Sequence, residues 1–183
     1  NGGKMLKIIT DLSDEEMAVL DTMEMQRLRG VKQLGTAYLV YPGAVHTRFD
    51  HSIGALHVTS KVIESINKNA ELDPSGCLAI GEGEARIIRL AALIHDITHI
   101  PFGHSIEDQD GIFPRHDSDY RFRRALASKT ELGQVLDRFG VREDVLSCLL
   151  PEGAEGRREL PAYWTQVFAG TVASDILDYL ARD

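Results

Sequence analysis

The chain has 183 residues with 28 acidic and 20 basic side chains, giving a formal net charge of -8. This negative field repels phosphate backbones and so disfavours nucleic acid as a partner. The two cysteines form no C-x-x-C pair, which excludes a cysteine-rich zinc module and fits a reducing compartment, and no apolar run approaches the roughly 20 residues that cross a bilayer. We therefore expect one cytoplasmic, non-membrane domain over residues 1–183, with residues 1–25 as an N-terminal segment.

Two short helices are predicted near the N-terminus, after a short edge strand at residues 6–10. Ser13 and Glu16 can form a capping box, because the Ser13 hydroxyl can accept a free amide of the first turn while Glu16 reaches back to the cap. A helix should therefore begin near Asp14. The same signature recurs at residues 21–24 and predicts the second helix.

The middle of the chain is predicted to hold the core. Aromatic and β-branched residues between positions 36 and 42 end at a Pro-Gly turn and predict a short strand or hairpin arm. A helix should follow from about residue 49 and end before Asp73, which precedes a proline. Residues 84–94 leave little polar face, so we expect their helix at the centre of the core.

The C-terminal half is predicted to be helical as well. Short helices are expected at residues 120–127, 132–139 and 141–150. One long helix should run from about residue 161 to the end of the chain. The stretch from 101 to 114 should be irregular, and its acidic run at 107–110 is typical of a solvated loop. The predicted fold class is all-α, with at most a short β hairpin.

Histidines crowd into one part of the sequence, and an apolar helix ends there in His95 and Asp96. An unpaired charge in an apolar core costs several kcal/mol, so Asp96 needs a cation or strong hydrogen bonds. A divalent metal would meet that need, because a mixed His/Asp shell suits Mn, Fe, Co, Ni, Zn or Mg and leaves positions open for water and substrate. A His-Asp pair alone also arises by chance, and a single histidine is more often an ordinary surface or core residue.

Three ordered blocks of sequence carry a resemblance to a known family. They are residues 41–52, the pair His95-Asp96 followed by His99 and His104, and Asp175-x-x-Asp178-Tyr179-x-x-Arg182-Asp183, preceded by a matching entry segment at residues 26–35. Together they resemble the HD-domain deoxynucleoside triphosphate triphosphohydrolases. The resemblance implies an HD-domain helical bundle that binds one divalent metal ion and cleaves a deoxynucleoside triphosphate to deoxynucleoside and triphosphate.

The resemblance also implies a role for each candidate site residue. The expected metal ligands are His51, His95, Asp96 and Asp175. The expected catalytic group is His104 as general acid, His99 and His116 orienting the triphosphate, and Asp117 holding His116. The expected substrate contacts are Arg48 on the phosphates, Gln33, Leu34 and Asp183 on the sugar side, and Tyr179 against the 2′ edge, where its ring would disfavour ribose.

The chain departs from the family in two respects. It ends at Asp183 in a predicted helix without a stop signal, so we expect a truncated chain, and the short acidic interval between His104 and His116 should reduce the lid over the triphosphate. Two alternatives stay open. One is an HD hydrolase for another nucleotide phosphoester, namely a deoxynucleoside monophosphate, a cyclic nucleotide or an alarmone. The other is a non-catalytic nucleotide-sensing module. The expected partner is a nucleotide, and a homo-oligomer stays open.

Overall fold

The computed structural model of the protein describes residues 12–107, 109 and 113–182. The strand predicted at residues 6–10 and the substrate contact predicted at Asp183 lie outside them. Within the described ranges the chain forms helices and turns, and the β pairing is one isolated bridge between Lys32 and Thr47. The all-α fold class is therefore confirmed. None of the described helices combines the length and apolarity needed to cross a bilayer.

The two N-terminal helices begin where the capping signatures predict. Helix α1 is Asp14–Leu20 and helix α2 is Met23–Arg27, which continues as a 3-10 turn. The Glu16 amide donates to the Ser13 hydroxyl at 3.2 Å, and the Ser13 amide donates to the Glu16 carboxylate at 2.8 Å. This reciprocal pair satisfies two amides that the first turn leaves without helical partners.

Two longer helices form the centre of the fold. Helix α3 is Arg48–Leu72 and helix α4 is Glu82–Ile94, and they pack directly against each other. Four large side chains of α4 are at most 1% exposed: Ile88, Leu90, Leu93 and Ile94. Burying each such side chain contributes about 1.5–3 kcal/mol. The predicted central helix is confirmed, and its C-terminal end is held firmly in the core.

The remaining helices surround this central pair. They are α5 (His104–Glu107), α6 (Asp119–Ala125), α7 (Glu131–Arg138), α8 (Arg142–Leu149), α9 (Ala162–Ala169) and α10 (Ser174–Arg182). Helices α8 and α9 pack on α4, α10 packs on α3, and α7 packs on α1 and α2. The predicted short helices in this half are confirmed, with ends shifted by a few residues.

The predicted strand at residues 36–42 is wrong. The segment forms a 3-10 turn over Ala37–Leu39, in which the Leu39 amide donates to the Thr36 carbonyl at 3.0 Å. Local i to i+3 hydrogen bonds satisfy the backbone here, since no neighbouring strand among the described residues offers a ladder.

The single long C-terminal helix is also wrong. It is interrupted at Gly170, whose backbone is extended (φ -89°, ψ -174°), and the interruption separates α9 from α10. A Cβ at Gly170 would lie 2.7 Å from the Gln166 carbonyl oxygen, so the close approach of this carbonyl leaves no room for a side chain without a shift of the backbone. Beyond the break, the Thr59 and Ser174 hydroxyls hydrogen-bond at 2.5 Å and fix the start of α10 on α3.

Candidate metal centre and active site

Helices α3 and α10 place a buried imidazole between two carboxylates. His51, in the first turn of α3, is 1% exposed. Its Nε2 lies 2.8 Å from Asp175 Oδ1 and its Nδ1 lies 2.8 Å from Asp178 Oδ2, both on α10. In metal-binding histidines, one ring nitrogen faces the metal while a carboxylate on the other nitrogen orients the ring. His51, with Asp178 behind it, has this arrangement.

The end of α4 presents a second imidazole with an unused lone pair. His95 Nδ1 lies 2.7 Å from the Ala92 carbonyl oxygen, which can only accept, so we assign the proton of the neutral ring to Nδ1. His95 Nε2 is buried and has no hydrogen-bond partner. It faces Asp96 Oδ1 at 3.6 Å and Asp175 Oδ1 at 3.5 Å. A lone pair and two carboxylate oxygens around one space repel one another unless a proton or a metal ion lies between them.

Four side chains from α3, α10 and the turn after α4 therefore converge. We call His51, His95, Asp96 and Asp175 the His-Asp site. Ligand atoms of the first three lie within 4.8 Å of one another, and Asp175 contacts both imidazoles. Two imidazole nitrogens and two carboxylate oxygens suit a divalent first-row metal ion or Mg2+. The donor set of this site thus fits a divalent cation.

The charges around the His-Asp site favour added positive charge. Burial alone would raise the pKa of Asp96, but His95, His99 and Arg48 outweigh burial and hold that pKa well below its usual range. Burial alone would likewise lower the pKa of His51, yet its hydrogen bonds to Asp175 and Asp178 raise it to about 9. The carboxylates stabilise a proton on His51, and a divalent cation would supply that positive charge instead.

Arg48 joins the His-Asp site to an adjoining cavity. Its Nη1 donates to Asp96 Oδ2 at 2.6 Å, which ties the first turn of α3 to the end of α4. Its Nε is buried and has no hydrogen-bond partner. The guanidinium also lines the cavity, so an anion bound there would meet a fixed positive charge with donor capacity to spare.

Three histidines form a second group on the other side of Asp96. We call His99, His104 and His116 the imidazole cluster. The rings of His99 and His116 stack with centroids 3.8 Å apart, and His104 stands edge-on to them at 5.3 and 5.0 Å. His99 Nε2 lies 3.1 Å from Asp96 Oδ1, which links the cluster to the His-Asp site. Burial lowers the pKa of His99 to about 4, so this ring is neutral.

A buried carboxylate supports the imidazole cluster where a solvated loop was predicted. Glu107 is 5% exposed and accepts hydrogen bonds from His116 Nδ1 and Arg121 Nη1, each at 2.9 Å. The expectation of a solvated acidic run is wrong for Glu107, because these two partners compensate the cost of burying its charge. Asp117, expected to hold His116, is exposed and instead accepts from Arg115 at 3.2 Å.

A tight turn brings His104 back over His99. Phe102 (φ 68°) and Gly103 (φ 38°) both lie in the left-handed region, which an aromatic residue adopts only when its surroundings impose it. A Cβ on Gly103 would lie 3.5 Å from His99 Nδ1 and 3.7 Å from Arg48 Nη2. The backbone of this turn therefore forms part of the wall beside the imidazole cluster.

The two groups open on one cavity of about 350 Å³. Its lining residues are Gln33, Leu34, Arg48, Asp96, His99, His104, His116, Asp175, Ile176 and Tyr179. Gln33 is held beside the cavity because its backbone amide donates to the His46 carbonyl at 3.2 Å. The oxygen of its side chain is buried without a hydrogen-bond partner. Residues that the sequence predicted for three different roles thus share one concave site. His51 and His95 do not line the cavity, but each faces Asp96 and Asp175, which do.

Known proteins share the sequence around this site. The HD domain family matches residues 48–150, more than half of the chain. The chain belongs to the HD-domain family. HD domains bind divalent metal ions, which agrees with the donor set of the His-Asp site.

The similarity to known relatives extends over nearly the whole chain. The uncharacterized protein MJ1154 of Methanocaldococcus jannaschii is 32% identical over 185 residues, covering 97% of this chain and 33% of the relative. A deoxynucleoside triphosphate triphosphohydrolase SAMHD1 homolog of Dictyostelium discoideum is 35% identical over 199 residues, covering 98% and 36%. A hypothetical protein from Aquifex aeolicus has a similar crystal structure, with a TM-score of 0.71 and 32% identity over 94% of this chain and 42% of that one. The chain thus spans about a third of the length of these curated relatives.

Sequence reasoning on this HD domain assigned no role in the site to two carboxylates, Asp178 and Glu107. Asp178 had a usable signal, since it follows Asp175 by three residues and so shares its face of a helix. Glu107 had none, because it stands in an acidic run whose members look alike in sequence. Its importance rests on contacts with Arg121 and His116, which only the folded chain brings together.

Proposed function

We propose that this HD domain is a metal-dependent phosphohydrolase that cleaves deoxynucleoside triphosphates to deoxynucleoside and triphosphate. The observation that carries the proposal is the buried, unpartnered Nε2 of His95, which faces two carboxylate oxygens beside a cavity lined by Arg48 and three histidines. A cation is needed on one side of this cavity, and an anion is favoured on the other.

The His-Asp site would hold the metal through His51, His95, Asp96 and Asp175. When bound, a divalent cation lowers the pKa of a coordinated water from 15.7 towards about 7 and so supplies hydroxide near neutral pH. Asp178 orients His51 through its 2.8 Å contact, and the Ala92 carbonyl orients His95. The geometry of the ligands is therefore fixed before substrate arrives.

The phosphate chain would lie between Arg48 and the imidazole cluster. Arg48 already pairs with Asp96 and would add hydrogen bonds to the phosphates through its remaining donors. His99 and His116 would orient the triphosphate, and Glu107 fixes the ring of His116. His104, exposed at the rim, would donate the proton to the departing 5′ oxygen of the deoxynucleoside.

The sugar would lie against the wall formed by Gln33, Leu34 and Tyr179. The unpartnered side-chain oxygen of Gln33 can accept a hydrogen bond from the 3′ hydroxyl, as could Asp183. The Tyr179 ring would exclude a 2′ hydroxyl by its bulk. The Dictyostelium relative, which is named a deoxynucleoside triphosphate triphosphohydrolase, supports this choice of substrate.

The test is incubation of the metal-loaded chain with each deoxynucleoside and ribonucleoside triphosphate, followed by separation of the phosphate products. We expect inorganic tripolyphosphate from the deoxy substrates and none from His95→Ala. Products limited to monophosphate and pyrophosphate would contradict cleavage of the bond between the α-phosphorus and the 5′ oxygen. Turnover of monophosphates, cyclic nucleotides or alarmones instead would identify another HD hydrolase, and no turnover with tight nucleotide binding would identify a sensing module.

A further inference from the structure

We propose that the imidazole cluster is a second metal site, selective for a transition-metal ion such as Zn2+. The His-Asp site does not include any of its three ring groups. Potential ligand atoms of His99, His104 and His116 lie within 4.8 Å of one another. Imidazole nitrogens favour Zn2+, Cu2+ and Ni2+, whereas Mg2+ favours carboxylate and water oxygens. An all-imidazole group therefore selects a different ion from a mixed His/Asp group.

The first ligand is the inner nitrogen of His99. Because Nε2 faces Asp96 Oδ1 at 3.1 Å, we assign the proton of the neutral ring to Nε2, which leaves the lone pair on Nδ1. His99 is 1% exposed, and its Nδ1 is buried without a hydrogen-bond partner. A buried acceptor without a donor is destabilising, and a bound ion would remove that cost.

The second ligand is His116, which already has the support that metal-binding histidines use. Its Nδ1 donates to Glu107 Oε2 at 2.9 Å, so Nε2 keeps the lone pair of the neutral ring. Glu107 also lies 4.0 Å from His99 Nδ1 and brings a negative charge close to the ligands. A carboxylate behind a histidine fixes the tautomer and raises the basicity of the ligand nitrogen.

The third ligand, His104, completes the site by moving. Zinc binds imidazole nitrogens at about 2.0–2.1 Å, so the ligand atoms must come closer together than they lie in this structure. His104 is exposed and begins the four-residue helix α5, whereas His99 is fixed in the core. A metal ion lies in the plane of each imidazole that binds it, and the His99 and His116 rings are stacked 3.8 Å apart, so the His116 ring must turn as well. Rotation of the His104 and His116 side chains would close the shell and leave a fourth position for water, as in three-histidine zinc sites.

Occupation of this site would regulate the proposed reaction. The imidazoles that ligate Zn2+ are those proposed to orient the triphosphate and to protonate the leaving group. This consequence rests on the proposed function, whereas metal binding at the cluster does not. Excess Zn2+ should therefore inhibit the Mn2+-loaded protein, and higher deoxynucleoside triphosphate concentrations should relieve the inhibition.

The test first strips the full chain of metal by chelation and dialysis and then counts the Zn2+ that the chain binds. The absorption of bound Co2+ is a second readout. We expect two equivalents for the wild type, and one equivalent each for His104→Gln, His116→Gln and His51→Gln. His57→Gln is the matched control, since it changes a histidine of α3 outside both groups and should keep two.

Two results would overturn the second site. One is a single equivalent in the wild type, and the other is retention of two equivalents in both cluster variants. His104→Gln changes an exposed side chain, so circular dichroism should confirm that this variant folds. The number of Zn2+ ions bound by the wild type tests the second site even without a variant. Two equivalents that depend on the cluster, without any nucleotide hydrolysis, would support the second site while contradicting the proposed function.

Discussion

The His-Asp site and the imidazole cluster share the carboxylate of Asp96 but differ in what holds them. Helices α3 and α10 and the turn directly after α4 hold the His-Asp site, and three carboxylates surround its imidazoles. A left-handed turn, the four-residue α5 and the turn before α6 hold the imidazole cluster. The comparison indicates that the His-Asp site is held more rigidly than the imidazole cluster beside it.

Asp96→Asn should have the largest effect, because Asp96 is the residue common to both groups. It removes a proposed ligand and leaves Arg48 without its buried counter-ion. We expect loss of the bound metal and a fall in hydrolysis of about three orders of magnitude, since a metal contributes several kcal/mol of charge stabilisation. Metal analysis and turnover measure both, with the exposed Asp73→Asn as control. Full metal content would refute the assignment of Asp96 as a ligand.

Asp178→Asn should weaken the His-Asp site and spare the imidazole cluster. The amide keeps the shape of Asp178 but loses the charge that fixes His51 at 2.8 Å. Metal affinity should fall about 10- to 100-fold, as for other residues that orient metal-binding histidines. Competition with a chelator measures this affinity, and Asp137→Asn, a surface change on α7, is the control. Unchanged affinity would show that Asp178 has no orienting role.

Glu107→Gln should weaken the imidazole cluster and spare the His-Asp site. Loss of its charge weakens the hydrogen bonds from His116 and Arg121, because charge-assisted bonds are roughly twice as strong as neutral ones. Turnover should fall about tenfold while the metal content of the His-Asp site stays constant. Glu64→Gln, in an exposed pair with Lys61, is the control. If the metal content of the His-Asp site fell together with turnover, the two groups would not be separable.

Gly103→Ala should have the smallest effect of these variants. It should lower stability slightly and weaken metal binding at the imidazole cluster. Its backbone is left-handed, so a side chain should cost about 1–2 kcal/mol. Gly140→Ala is the matched control, because Gly140 is also left-handed but has open space where a Cβ would be. Both variants should lose similar stability in chemical denaturation. Only Gly103→Ala, with its methyl 3.5 Å from His99 Nδ1, should lose the second equivalent of Zn2+.

The parts of the fold that depend on local signals could be predicted from the sequence. The capping box at Ser13 and the apolar pattern of α4 predict helices because each depends on neighbours in the chain. The same pattern exposed Asp96 as a charge at the end of an apolar run. Resemblance to the HD-domain family, and not spacing alone, brought Asp175 into the predicted ligand set.

The errors have a different physical origin. Whether residues 36–42 pair as a strand depends on a partner elsewhere in the chain, and the sequence does not reveal that this partner is missing among the described residues. The break at Gly170 depends on a backbone geometry that glycine permits but does not require. Glu107 is buried only because Arg121 and His116 compensate its charge, so its burial follows from tertiary contacts.

The pairing of His51 with α10 also has a consequence for assembly. Asp175 and Asp178 lie 124 and 127 residues beyond His51 in the sequence, so these contacts close a long loop of the chain. Closing a long loop costs chain entropy that a bound cation would help to offset. Metal binding and the docking of α10 on α3 would then be thermodynamically coupled, so that each stabilises the other. A chelator would act as a denaturant of that helix first, and the wall that contains Tyr179 would loosen with it.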